Sequence, residues 1–205
     1  MRIPVVHLIT DRRLEPDPAA RAARALAGLP PGCAAVHLRE KDLGGAALLA
    51  LARPLVAACH LHGQRCLVND RLDVAIAAGA DGVHLPSAGV PPAEARRLLG
   101  PSSLVGVSCH GAEDVARALA GGAGYATFGP VHDTPSKRAY GAPVGLADLR
   151  AAAAIGLPLV GLGGVTPANA PAVRAAGAHG VAVIRAWLEA QDPAAVIREL
   201  LAAAG

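Results

Sequence analysis

The feature that most constrains the fold is a repeated alternation of short β-branched or Leu-rich runs with Ala-rich stretches of helical period. This alternation is typical of β/α units arranged around a parallel sheet. Eight such runs predict eight strands: Pro4–Ile9, Ala34–Leu38, Arg65–Val68, Gly82–Leu85, Leu104–Ser108, Tyr125–Phe128, Pro158–Leu162 and Gly180–Ile184.

A predicted helix follows each strand, near Pro18–Ala27, Ala46–His62, Leu72–Ala78, Pro92–Leu99, Ala112–Ala120, Leu146–Ala154, Pro167–Ala176 and Pro193–Ala203. Eight β/α units in 205 residues predict a single-domain (β/α)8 TIM barrel that spans residues 1–205. A doubly wound open sheet is the alternative, although no G-x-G-x-x-G motif opens the first helix.

Composition excludes several classes of function. Hydrophobic residues make up 53% of the chain, which is enough for a core, whereas aromatic residues make up only 2% and the net charge is only +3. Nucleic-acid binding is therefore not expected, because stacking surfaces and a basic run are missing. The four cysteines lack zinc or redox spacing, and no apolar run reaches membrane-spanning length. We expect a cytoplasmic protein without a membrane partner.

In a barrel of this type the active site forms at the carboxyl ends of the strands. At the second strand His37, Arg39 and Lys41 are spaced by two residues, so we expect all three to point into the barrel and to bind an anion. The alternative is a solvated strand end at which Glu40 and Asp42 neutralise the cations.

Two further strand ends carry polar groups. Asn69 and Asp70 follow the third strand, where Asp70 either caps the next helix or helps to coordinate Mg²⁺. Ser108 and His110 close the fifth strand with the same spacing, and His110 is a candidate general acid-base. His7, His60, His62 and His179 are interpreted as structural.

The remaining candidates lie in loops. The segment Gly129–Pro143 carries Thr134, Ser136, Lys137 and Arg138 between turn-forming residues, which is typical of a phosphate-binding lid. After strands seven and eight, Gly163, Gly164 and Arg185 fit a phosphate site made by backbone N–H groups. A tight strand-to-helix turn would explain the glycines almost as well.

Six blocks of the sequence resemble, in order, the signature blocks of the thiamine-phosphate synthase and thiazole tautomerase (TenI-like) family. The blocks are HLREK (37–41), LVNDRLDVAIAAGADGVHL (67–85), GVSCH (106–110), TFGPVHDTPSK (127–137), GLGGVTP (161–167) and GVAVI (180–184). The resemblance covers nearly the whole chain. It implies a (β/α)8 barrel that acts on thiazole phosphate in thiamine biosynthesis.

For the synthase branch, the resemblance implies coupling of that thiazole to hydroxymethylpyrimidine pyrophosphate with release of pyrophosphate. It implies that Arg39, Lys41, Asn69 and Lys137 surround the pyrophosphate and that Asp70 is a ligand of Mg²⁺. It also implies that Thr134 and Ser136 contact phosphate and that Ser108 faces the pyrimidine. The thiazole phosphate would be bound by Gly164 and by the backbone N–H groups near Ile184 and Arg185.

Departures from the synthase pattern favour the tautomerase branch. Synthases usually continue the fourth-strand block as G-Q-E-D, whereas Pro86, Ser87, Ala88 and Gly89 follow Leu85 here, so the second acidic ligand is missing. His37 also replaces a usual Gln, and Arg185 replaces a usual small polar residue.

We therefore expect a tautomerase that uses His110 as general acid-base and needs no cofactor, with Arg39, Lys41 and the loops after strands seven and eight holding the substrate. The alternatives are a Mg²⁺-dependent synthase and a non-catalytic regulatory barrel that binds a phosphorylated ligand. A homo-oligomer is possible under each interpretation.

Overall fold

The computed structural model describes residues 2–134 and 142–204. Eight parallel strands form a closed barrel in sequence order. They are β1 (Val6–Ile9), β2 (Ala34–Leu38), β3 (Arg65–Asn69), β4 (Gly82–Leu85), β5 (Leu104–Cys109), β6 (Tyr125–Phe128), β7 (Leu159–Leu162) and β8 (Gly180–Val183). The first strand pairs with the last, with Val6 opposite Val181, so the open-sheet alternative is excluded and the (β/α)8 barrel is confirmed.

Helices connect the strands in the described part of the chain. They are α1 (Pro18–Leu26), α2 (Gly45–Leu61), α3 (Leu72–Ala78), α4 (Pro92–Leu99), α5 (Ala112–Ala120), α6 (Gly145–Ala153), α7 (Ala170–Ala175), α8 (Arg185–Leu188) and α9 (Pro193–Ala204). That one domain spans residues 1–205 stays a prediction.

Two helical predictions need correction. The seventh helix begins at Ala170 and not at Pro167, because the side chain of Asn169 holds a turn instead. Its Oδ1 accepts from the backbone N–H of Thr166 at 2.8 Å, and its Nδ2 donates to the Gly164 carbonyl at 2.9 Å. The short helix α8 was not predicted, since four residues carry too little periodicity to be recognised.

The strands separate two layers of apolar side chains. Val36 and Leu38 are fully buried in the large cluster between the strands and the helices, as expected from their spacing. Ala35 and Leu67 belong to a second cluster that fills the barrel interior. The alternation of inward and outward side chains along each strand produces both layers from one short segment.

The interior also contains a bulky side chain, Tyr125 of β6, which is fully buried. Space for its ring comes from Gly106 of the neighbouring strand, since a Cβ there would lie 2.2 Å from Tyr125 Cζ. No helix among the described residues is long and apolar enough to cross a membrane. All four cysteines are free thiols, and Cys59, Cys66 and Cys109 are buried.

Candidate functional site

Apart from His37, which lies within β2, the predicted site residues that the structure describes lie at or just after the carboxyl ends of the strands, at one end of the barrel, called here the rim. Asn69 is the last residue of β3, Ser108 lies in β5, and Ile184 follows β8. Arg39 and Lys41 follow β2, Asp70 follows β3, His110 follows β5, Thr134 lies in the loop after β6, Gly163 and Gly164 follow β7, and Arg185 begins α8. Parallel strands in a closed barrel bring these ends together.

Three candidates of the β6–α6 loop, Ser136, Lys137 and Arg138, lie outside the described residues. Thr134 is the last residue described before this gap and is half-buried. The lid and the contacts expected of Lys137 therefore stay predictions.

The three residues spaced by two at the second strand, His37, Arg39 and Lys41, do not share one environment. His37 points into the barrel, is 2% exposed, and its Nε2 lies 2.7 Å from His7 Nδ1. Arg39 is half-buried and Lys41 is exposed, and both lie past the end of β2 at Leu38. Burial thus decreases along these three residues, and the charge of Arg39 is close enough to the interior to help lower the pKa of His84. That all three share an inward direction stays a prediction.

The two acids expected to neutralise these cations bind elsewhere. Glu40 is 7% exposed; its Oε1 accepts from the Thr10 hydroxyl at 2.7 Å, and both its oxygens accept from the Arg12 backbone N–H at 3.1 Å. Asp42 forms an ion pair with the Arg12 side chain. Within residues 2–134 and 142–204, neither acid forms a salt bridge with Arg39 or Lys41. The solvated-strand alternative therefore has no direct ion pair to support it, although the Glu40 charge acts on Arg39 through space.

The guanidinium of Arg39 lies in a partly dehydrated environment. Burial lowers the pKa of Arg39, and the nearby charges of Asp11 and Glu40 partly oppose this shift. The backbone N–H of Arg39 donates to the Thr10 hydroxyl at 3.0 Å. Because a partly buried cation interacts strongly with an anion, Arg39 suits a phosphate or carboxylate ligand.

Asp70 does not cap the following helix. The N-cap of α3 is Arg71, and Asp70 adopts a left-handed conformation with φ of 63°. Its backbone N–H donates to the His84 carbonyl at 2.9 Å, while Arg71 pairs with Asp73. Among the residues that the structure describes, the exposed Asp70 carboxylate has no hydrogen bond or salt bridge. Left-handed non-glycine residues concentrate at functional sites.

Among the described residues, Asp70 is a rim carboxylate that forms no hydrogen bond or salt bridge and is therefore available to a divalent cation. No acid stands in the segment 86–89 after β4, and no group of three His, Cys, Asp or Glu side chains suits a metal in the described part. Mg²⁺ is commonly held by one or two carboxylates together with substrate phosphates. The unpaired Asp70 carboxylate fits this mode of binding.

His110 is oriented by two hydrogen bonds. Its backbone N–H donates to Asp114 Oδ2 at 2.8 Å, and its Nδ1 lies 2.7 Å from the Gly129 carbonyl oxygen. Because a carbonyl only accepts, Nδ1 carries the proton and Nε2 of the neutral ring keeps its lone pair. The ring is exposed at the rim, so Nε2 can exchange a proton with a ligand.

Beneath the rim lies a polar network that sequence reasoning did not foresee. His84 is 5% exposed, and its Nδ1 lies 3.1 Å from the Tyr125 hydroxyl. Its Nε2 lies 3.0 Å from Ser108 Oγ and 3.1 Å from Thr127 Oγ1. Polar residues at inward positions of otherwise apolar strands were the signal that could have revealed this network.

The buried imidazoles are neutral at neutral pH. Burial lowers the pKa of His7 to about 4 and that of His84 to about 3, and it lowers the pKa of His37 well below its ordinary value. The His7–His37 pair therefore acts as a neutral hydrogen-bonded unit.

The glycines after β7 serve contacts between two loops. Gly163 and Gly164 have φ of 104° and 62°. A Cβ at Gly163 would lie 2.5 Å from Pro130 Cα, and one at Gly164 would lie 2.8 Å from the Asp133 carbonyl oxygen. This packing against the β6–α6 loop accounts for both glycines without a ligand, so their role in phosphate binding stays a prediction.

The last predicted subsite lies where β8 meets α8. Ile184 is the N-cap of α8, and the exposed Arg185 pairs with Glu189 at 2.8 Å. The buried Arg21 donates from Nε to the Trp187 carbonyl at 3.1 Å, and Trp187 Nε1 donates to the Ile9 carbonyl at 3.0 Å. These two hydrogen bonds hold α8 in place. The first N–H groups of a helix have no acceptor within the helix, so those at the start of α8 are available to a ligand.

Comparison with known proteins agrees with this architecture. Residues 6–187 match the family described as thiamine monophosphate synthase. The chain is 50% identical over 200 residues to a putative thiamine-phosphate synthase of Geobacter sulfurreducens, covering 96% of this chain and 92% of that protein. It is 42% identical to the thiamine-phosphate synthase of Roseiflexus castenholzii, covering 96% and 86% of the two chains.

A solved structure, the thiamine phosphate pyrophosphorylase from Pyrococcus furiosus, superposes with a TM-score of 0.85 at 30% identity and covers 98% of this chain and 95% of that one. Similarity in both sequence and structure extends over nearly the whole chain, and the match includes the strands that form the rim. The chain therefore belongs to the thiamine monophosphate synthase family.

Proposed function

We propose that the protein is a thiamine-phosphate synthase that couples hydroxymethylpyrimidine pyrophosphate to thiazole phosphate and releases pyrophosphate. The observation that carries the proposal is the set of charges after β2 and β3. Arg39 and Lys41 form no salt bridge with neighbouring acids in the described part, and the Asp70 carboxylate is unpaired there. The relatives are named as a putative thiamine-phosphate synthase and a thiamine-phosphate synthase, which supports the same reaction.

The chemistry requires stabilisation of a leaving anion. The carbon–oxygen bond to pyrophosphate breaks, which leaves a benzylic-type cation on the pyrimidine methylene, and the thiazole nitrogen then forms the new carbon–nitrogen bond. Arg39, Lys41 and Asn69 would bind the pyrophosphate as negative charge develops on it. Preorganised cations in a partly dehydrated site lower the barrier of such a step.

Asp70 would hold Mg²⁺ together with the pyrophosphate oxygens. When bound, the metal supplies further neutralisation of the leaving group. Lys137, Thr134 and Ser136 are proposed to contact phosphate from the lid. Gly164 and the N–H groups near Ile184 and Arg185 are proposed to bind the thiazole phosphate, where the anchored α8 would give it a fixed position.

The thiazole tautomerase favoured by the sequence departures is retained as a second candidate. It is supported by the geometry of His110, whose Nδ1–H donates to Gly129 and leaves Nε2 available as a base. That reaction moves a proton within a carboxythiazole phosphate and requires no metal. The relatives favour the synthase, so the tautomerase interpretation is not confirmed.

The experiment that separates the two candidates measures both reactions. The protein is incubated with hydroxymethylpyrimidine pyrophosphate and thiazole phosphate, with and without Mg²⁺, while pyrophosphate release and thiamine phosphate are quantified. In parallel, conversion of the carboxythiazole tautomer is followed spectroscopically. Mg²⁺-dependent formation of thiamine phosphate supports the proposal, and metal-independent tautomerisation without coupling would overturn it.

A matched pair of variants tests the role of the rim carboxylate. Asp70→Asn is expected to reduce coupling by about 100-fold or more, because it removes the protein ligand of the cation. Asp73→Asn is the control, since Asp73 is also exposed and lies three residues away but pairs with Arg71. Equal activity in the two variants would remove Asp70 from the mechanism.

A further inference from the structure

The Thr10 hydroxyl joins the two loops that follow β1 and β2. Its oxygen accepts from the Arg39 backbone N–H at 3.0 Å, and its proton is donated to Glu40 Oε1 at an oxygen–oxygen distance of 2.7 Å. Thr10 is only 1% exposed, so its side chain lies beneath the surface that a ligand can reach. Any effect of this hydroxyl on a ligand at the rim must therefore pass through another residue.

Each of these hydrogen bonds can run in only one direction. A backbone N–H only donates, and a carboxylate only accepts. The Thr10 proton is thus committed to Glu40, which leaves a lone pair of the Thr10 oxygen for the Arg39 N–H. The Glu40 carboxylate is held in turn by the Arg12 backbone N–H, which lies 3.1 Å from both of its oxygens. The protons of this chain of contacts have no alternative arrangement.

These contacts fix the backbone beyond the end of β2. The Thr10 N–H donates to the His37 carbonyl at 3.0 Å, while the Thr10 hydroxyl accepts from the Arg39 N–H, so Thr10 holds the chain on both sides of Leu38. One residue further along, the Glu40 side chain returns to the same hydroxyl. Hydrogen bonds to a charged group are stronger than those between neutral groups. The backbone on both sides of Arg39 is therefore anchored.

The Arg39 guanidinium, by contrast, has no fixed partner. Within the described ranges 2–134 and 142–204, this half-buried side chain forms no hydrogen bond or salt bridge, and Asp11 and Glu40 act on it through space. A long side chain without a direct contact loses rotamer freedom when it binds an anion, and this loss opposes binding. An anchored backbone reduces the number of directions in which the guanidinium can point before the anion arrives.

We propose that Thr10 is a positioning residue whose hydroxyl fixes the backbone at Arg39 and so directs the Arg39 guanidinium toward a pyrophosphate group at the rim. The inference rests on the proposed function in one respect, namely that Arg39 binds the pyrophosphate. Bidentate binding of a phosphate by a guanidinium depends on its orientation, and a displacement of about 1 Å at a substrate-binding group can lower a rate about 100-fold. A buried hydroxyl that touches no substrate thereby controls the affinity for the leaving group.

Calorimetric titration with inorganic pyrophosphate in the presence of Mg²⁺ measures this effect. Thr10→Val keeps the shape of the side chain and removes the hydroxyl, and it is expected to weaken binding about three- to tenfold. Thr10→Ser keeps the hydroxyl and is expected to bind as the wild type does. Thr127→Val is the matched control, because Thr127 is also buried but contacts His84 instead of this loop. It is expected to leave the affinity for pyrophosphate unchanged.

A double-mutant cycle separates positioning from a general loss of structure. In an Arg39→Met background, Thr10→Val is expected to cause no further loss of affinity, because the group that it positions has been removed. A structural defect would weaken binding equally in both backgrounds, since the remaining cation Lys41 would be affected as well. If Thr10→Val does not fold, Thr10→Ala, which brings no methyl group against the Glu40 carboxylate, takes its place in the cycle with the same expected result.

Wild-type affinity of Thr10→Val for pyrophosphate would overturn the inference, and so would an equal loss in the Arg39→Met background. A Thr10→Ser variant as weak as Thr10→Val would also overturn it, because the hydroxyl would then be irrelevant. None of these measurements requires turnover. Failure of the coupling assay together with the expected cycle would contradict the proposed function alone, whereas coupling without the cycle would contradict the positioning role alone.

Discussion

Three neutral imidazoles in the barrel interior make the stability of the protein depend on pH. Burial lowers the pKa of His7 to about 4, that of His84 to about 3 and that of His37 well below its ordinary value. In the unfolded chain each group titrates near pH 6.5. Their stabilising contribution is therefore complete above pH 6.5 and is lost as the pH falls toward the folded-state values, because the unfolded chain binds the protons first.

The size of the effect follows from proton linkage. Between pH 7.5 and 5.5 the unfolded chain takes up most of one proton at each imidazole, while the folded protein takes up almost none. Each group then contributes about 1.4 kcal/mol to the loss in free energy of unfolding, and the three together contribute about 4 kcal/mol. Since domains are stable by about 5–15 kcal/mol, the loss is a large share of the total.

Urea denaturation at the two pH values, followed by far-ultraviolet circular dichroism, measures this loss. His37→Gln removes one titrating group and keeps a donor for His7 Nδ1, so the loss is expected to fall to about 3 kcal/mol. Val160→Ala is the control, because Val160 is buried in the same interior and carries no charge. It is expected to lower the stability equally at both pH values.

Two results would refute the reasoning. One is a wild-type loss no larger than that expected of a single group. The other is a His37→Gln variant whose loss equals that of the wild type, since His37 would then titrate equally in the folded and unfolded states.

Three further predictions concern single residues. Gly106→Ala is expected to destabilise the barrel by about 1–3 kcal/mol, because its Cβ would overlap the Tyr125 ring, whereas Gly124→Ala, whose Cβ would come no closer than 3.5 Å to its neighbours, should show a melting temperature close to that of the wild type. Asp70→Gly is expected to raise the free energy of unfolding by up to about 1 kcal/mol in urea titrations, since φ is 63°, while abolishing Mg²⁺-dependent coupling. Glu40→Gln is expected to cost about 1–3 kcal/mol by weakening charge-assisted hydrogen bonds, and an unchanged melting temperature would contradict the role assigned to that carboxylate.

The sequence alone was sufficient to predict the fold. Along each short strand, side chains that face the barrel interior alternate with side chains that pack against the helices. This local pattern, repeated eight times, is enough to predict the barrel. Every strand end lies within two residues of its predicted position. The placement of Asn69, Ser108 and Ile184 at one end of the barrel follows from the same pattern, because parallel strands end together.

The tertiary structure alone decided how these side chains interact. His84 meets Tyr125 and Thr127 from a strand more than 40 residues away, and Glu40 binds Thr10 across 30 residues. Such partners depend on the register of neighbouring strands and on space left by a residue such as Gly106, which local patterns do not encode. Sequence therefore determined which groups reach the barrel mouth, whereas packing between distant strands determined their protonation, their partners and the direction of their hydrogen bonds.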